Sequence, residues 1–149
     1  MAVKISGLKP TITCPATLFL PGDNGEHVKH PFTVDFKRLS TQERDDLHLA
    51  YTIGRKVPQP DVAGTAQPVF KTVTVSLPEL LDQIVVGWGG MLDENGNPVP
   101  YTHEERRATD VEFTGLEQAM AVSWYDHFFI HQREAATKNS KAQSGTTSA

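Results

Sequence analysis

Residues 77–102, LPELLDQIVVGWGGMLDENGNPVPYT, restrict the fold more than any other part of this chain. Ser76 and Glu79 stand at capping-box spacing, and Pro78 suits a first helical turn. Leu77, Leu80, Leu81, Ile84, Val85 and Trp88 then recur every three or four residues, the spacing of one helix face. Gly87, Gly89 and Gly90 are expected to end that helix, because glycine costs about 1 kcal/mol relative to alanine in a helix interior. An Asx-rich turn with an Asn95-Gly96 step follows, and Pro98-Val99-Pro100 must leave it extended. The stretch reads as a structural hinge built on Trp88, Gly89, Gly90, Asp93, Gly96, Pro98 and Pro100.

The chain before the hinge has strand character. Residues 1–15 read as a loosely ordered arm, residues 17–21 (TLFLP) as a short strand, and Asn24-Gly25 as a hairpin turn. Val28, Phe32, Val34 and Phe36 alternate with polar residues, a strand with one buried face whose first half Pro31 confines to an edge. Ser40 and Glu43 form a second capping box, opening a helix to about Tyr51. It turns Leu47, Ala50 and Tyr51 inward and His48 largely outward, and Gly54 ends it. Residues 54–68 carry three prolines and no periodicity, so they read as a linker between two halves. Residues 69–75 (VFKTVTV) read as a strand leading into the central helix.

After the hinge, Thr102 and Glu105 start a helix to about Ala108. Thr114 and Glu117 start the last one, which is expected to reach about Thr137. Leu116, Met120, Trp124, Phe128 and His131 share one of its faces, and Phe129 widens the apolar surface. Residues 139–149 have the composition of a disordered tail. The expected class is α+β: an N-terminal β-hairpin or small antiparallel sheet (16–53) packed with a mostly helical half (69–138). Met120, Trp124, Phe128 and Phe129 are assigned to a partner-binding face, because two strands and a few helices look too little to bury them all.

Chemistry is harder to find. Asp93, Asn95, Asn97 and Glu104 fall at calcium-loop spacing, but Pro98 occupies the position where such a loop needs glycine. His127 and His131 are four apart, yet Phe128 stands where a zinc helix carries glutamate. His103 could complete that set only by an accident of folding. The glycines around Trp88 follow a helix instead of preceding one, so no helix N-terminus awaits a phosphate. A lone Cys14 supports neither a disulfide framework nor a thiol nucleophile and favours a reducing compartment. No catalytic residue, metal or cofactor is expected. Fourteen basic against eighteen acidic residues, net −4, give no general reason to bind nucleic acid or an anionic membrane. Residues 1–14 lack a signal-peptide core, and no apolar run approaches a membrane span.

Residues 80–88 (LLDQIVVGW) and 92–102 (LDENGNPVPYT) resemble the signature of tail assembly chaperones of long-tailed bacteriophages. In that family a helix ends in V-x-G-W, an acidic D-x-x-G-x-P-V-P turn follows, and short helices come after it. Residues 32–46 and the aromatic last helix up to Arg133, Lys138 and Asn139 are also similar, so the likeness spans roughly residues 28–139. Residues 111–115 (VEFTG) depart from the proline-glycine step of many relatives. The resemblance implies a non-enzymatic chaperone in the host cytoplasm, absent from the mature virion. It would bind the tape measure protein and help recruit the tail tube protein; self-association is the other use to which the aromatic face is suited. A structural adaptor that stays in the phage particle is the alternative class, followed by an inhibitor of host defence.

Overall fold

The computed structural model describes residues 7–59 and 69–130. The fold is α+β. A three-stranded antiparallel sheet of β1 (Thr11–Pro21), β2 (His27–Lys37) and β5 (Val85–Gly89) runs in the order β1-β2-β5. Helices α1 (Thr41–Thr52), α2 (Leu77–Ile84), α3 (His103–Glu112) and α4 (Leu116–Tyr125) accompany it, and α4 continues as a π-helical turn, Asp126–Ile130. A separate two-stranded hairpin pairs β3 (Arg55–Pro58) with β4 (Phe70–Val73).

The main hairpin is longer than the sequence suggests. β1 starts at Thr11, so residues 11–15 belong to the sheet and not to an arm, and Cys14 is buried. The Asn24-Gly25 turn forms as expected, with Gly25 at φ 84°. At the two ends of the ladder Arg38 N donates to Pro10 O, and Gly22 N donates to Glu26 O. Strand alternation then turns the backbone groups of Thr11, Thr13, Pro15, Thr17 and Phe19 toward the outer edge of β1. Pro15 offers no N–H there, and its carbonyl accepts the Ser123 hydroxyl of α4 at 2.7 Å. Pro31 sits where β5, which spans only Thr33 to Phe36 of β2, has already ended.

One sheet face carries the core. Cys14, Ala16 and Leu18 of β1 and Phe32, Val34 and Phe36 of β2 meet Leu80, Leu81 and Ile84 of α2 and Leu116, Met120 and Trp124 of α4. Each large apolar side chain buried in this way contributes roughly 1.5–3 kcal/mol. Residues from both sides of the expected linker share this single core, so that segment is no domain boundary. Residues 55–58 of it are a strand, and residues 60–68 lie outside the described residues.

The capping boxes at Ser40 and Ser76 are present as expected, each worth about 1 kcal/mol. Thr102 caps α3, which runs past Ala108 to Glu112. The expected cap at Thr114 is not used. Gly115 at φ 109° is the N-cap of α4, and Glu117 turns inward. The expected tail, His131 and residues 131–137 of the last helix lie outside the described residues.

Candidate functional site

The central stretch folds differently from a helix with a glycine stop. α2 ends at Ile84, and Val85 to Gly89 form an edge strand. A bulge between Asp35 and Phe36 leaves Val86 unpaired and 48% exposed. Gly87 and Gly89 answer to their neighbours across the sheet. A Cβ on Gly87 would lie 2.7 Å from Asp35 Oδ2, and one on Gly89 would lie 2.5 Å from Thr33 Oγ1. The loop beyond is closed on itself. Asp93 Oδ1 accepts the amides of Asn95 and Asn97, both at 2.9 Å, Val99 N donates to Met91 O, and Leu92 bridges Pro98. Trp88 Nε1 donates to Val99 O at 2.8 Å, and its ring meets Tyr101 edge-on at 5.1 Å. Trp88, Gly89, Gly90, Asp93, Gly96, Pro98 and Pro100 therefore form a braced strand and loop, where the sequence suggested a hinge. The Asp93 oxygen that the calcium spacing would use is already committed to backbone amides.

Beyond the loop lies an unexpected polar centre. Arg106 of α3 is 0% exposed, and all its nitrogens find acceptors. Nε donates to Glu117 Oε2 at 2.9 Å, Nη1 to the Tyr101 hydroxyl at 2.9 Å, and Nη2 to Pro78 O at 3.1 Å and Asp82 Oδ1 at 2.6 Å. Arg107 holds the other Asp82 oxygen. The Tyr101 hydroxyl also lies 2.9 Å from His103 Nδ1. Burial would lower the Arg106 pKa, but its bonds to Asp82, Tyr101 and Glu117 more than offset that and hold it above its usual range. Burial also pushes the Tyr101 hydroxyl up, with Arg106 pulling it back. One guanidinium thus ties α2, the Tyr101 loop, α3 and α4 together.

A cleft of about 970 Å³ adjoins this centre and shares Asp82, Tyr101 and His103 with it. Leu39, Leu47 and Ala50, with Val73, Val75, Val85 and Val86, give it an apolar floor. Its charged rim comes from Lys37, Glu43, Asp46, Arg55, Asp82 and His103. α1 supplies one wall and the β3–β4 hairpin another. The third consists of Asp82, Gln83, Val85, Val86, Tyr101 and Thr102, all from the stretch that carries the family resemblance. A second, smaller groove of about 470 Å³ runs between β1 and α4.

The aromatic residues expected to bind a partner are placed elsewhere. Met120 and Trp124 are 0% and 1% exposed, so they are core, and a partner could reach them only if α4 left the sheet. Phe128 and Phe129 are half-buried. Phe128 meets Phe36 edge-on at 6.1 Å, while Phe129 lies against His48 at 5.1 Å and Trp124 at 5.2 Å. The wide π turn brings these consecutive side chains to the same core. His48, expected outward, bonds the Tyr125 hydroxyl at 3.0 Å. His127 Nδ1 lies 2.8 Å from Ser123 O. Among the described residues, no three His, Cys, Asp or Glu side chains converge as a metal site, and no helix is long and apolar enough to cross a membrane.

Comparison with protein-family models, with curated proteins and with solved structures finds no match. The sequence did not point to Arg55, Val73, Val86 or Arg106. Val86 continues an apolar run, and its 48% exposure has no sign in the sequence.

Proposed function

We propose that this chain is a tail assembly chaperone of a long-tailed bacteriophage. It acts without catalysis, in the host cytoplasm, and is left out of the mature virion. It holds apolar helices of the tape measure protein in the cleft between α1, the β3–β4 hairpin and β5 until tail tube subunits enclose them. One observation supports this reading above the others: the segment resembling the family supplies a whole wall of the cleft. A chaperone must also release its client, and an open cleft with a modest apolar floor suits moderate affinity better than a deep pocket does.

Coexpression tests the reading. The tape measure protein should stay soluble with the wild-type chain and aggregate with Val86→Asp, whose side chain is already exposed and so leaves the fold intact. Mass spectrometry of purified particles should lack the chain. Its presence at stoichiometric amounts would favour the adaptor reading instead.

A further inference from the structure

The charges around the cleft are unequal in a way their count conceals. Its acidic residues are already engaged. Asp82 is held by Arg106 and Arg107, Asp46 accepts from Gln42 Nε2 at 2.9 Å, and Glu43 closes the capping box of α1. Its lysine and arginine are not. Lys37 and Arg55 form no ion pair with a carboxylate among the described residues. Neither does Lys71, which the β3–β4 register places on the same hairpin face. Arg55 pairs with Val73, both lining the cleft, and the next rung on that face is Val57 with Lys71. This hairpin wall is therefore apolar and basic. Described residues 53–59 and 69–78 contain no acidic side chain.

We infer that the cleft takes an amphipathic helix whose flank toward the β3–β4 hairpin carries carboxylates. This rests on the chaperone reading and specifies its client. The volume suits a helix, since two turns with side chains fill roughly 850–1,200 Å³. An added strand fits poorly, because the bulge at Val86 breaks the ladder on the strand that borders the cleft. The apolar stripe of the client rests on Leu47, Ala50, Val75 and Val86. Its acidic flank meets Lys37, Arg55 and Lys71, which sets its direction and rotation.

The probes are two short helical peptides with the same leucine-alanine stripe, one flanked by glutamate and one by lysine. Their affinities for the intact chain are read by fluorescence anisotropy at low and high salt. The glutamate peptide should bind about five- to tenfold more tightly, the sum of two or three partly exposed ion pairs. High salt should erase that preference. Arg55→Glu with Lys71→Glu should reverse it, and Val86→Asp should weaken both peptides. Equal binding of the two peptides, still lost in Val86→Asp, would overturn the acidic flank while keeping the cleft. Binding indifferent to Val86→Asp would overturn the cleft itself. A dimer of the chain alone, dispersed by Val111→Asp on the acidic end of α3, would overturn the proposal in favour of a second copy as occupant. If the peptides behave as expected but the tape measure protein aggregates beside the wild-type chain, the client chemistry holds and the chaperone reading fails.

Discussion

Arg106 and the exposed cations Lys37, Arg55 and Lys71 behave in opposite ways. Arg106 is sealed from water with every nitrogen paired. The other three are exposed, with no carboxylate partner among the described residues. A buried cation must be paired, because an unpaired one costs several kcal/mol. A rim cation costs almost nothing when unpaired and stays available. The same residue types thus fasten the fold in one place and leave a surface ready for a partner beside it.

That contrast can be broken at several points. Trp124→Ser with Phe128→Ser should unfold the chain. A large-to-small change at one buried aromatic residue costs about 3–5 kcal/mol, and the pair approaches the whole stability of a domain this size. A folded double mutant by circular dichroism would show that these rings are surface after all. Arg106→Ala should cost about 3–5 kcal/mol by leaving the buried Glu117 without its ion-pair partner. Thermal denaturation would register that as a fall of roughly 10 °C or more. If the melting temperature barely moves, the centre is not a clamp.

Alkaline pH probes the contact between α1 and α4. Burial, with Tyr51 nearby, pushes the Tyr125 hydroxyl up to about 12. Its contribution to stability is full below the unfolded tyrosine pKa, near 10, and is lost as pH rises through about 12. Urea unfolding repeated across that window should show the decline, and Tyr125→Phe should flatten it. The smallest effect is expected at the rim. Arg55→Glu with Lys71→Glu should change stability by no more than about 0.5 kcal/mol. A larger loss would mean that the hairpin cations already hold part of the fold.

Local signals in the sequence were read correctly where the neighbours that decide them are close. Ser40, Ser76 and Thr102 cap their helices because the amide each one accepts is three residues away. Asn24-Gly25 turns the chain by itself. Val85 and Trp88 continue a helical spacing that β2, some fifty residues earlier in the chain, overrides. Arg106 was not found because its carboxylate partners are 24 and 11 residues distant, with no shared periodicity. The aromatic face looks like a partner surface in the sequence because a two-stranded sheet offers too little cover, and the third strand, β5, has no strand signal of its own. The cleft depends on the β3–β4 hairpin, half of which looked like linker.

The bond from Ser123 to Pro15 has a consequence for crowded conditions. Long outer strands invite copies of a protein to stack edge to edge into fibrils. Here the middle rung of that edge has no donor, and its acceptor is occupied by the chain's own helix. A strand approaching this edge of β1 therefore meets a ladder already broken at its middle rung.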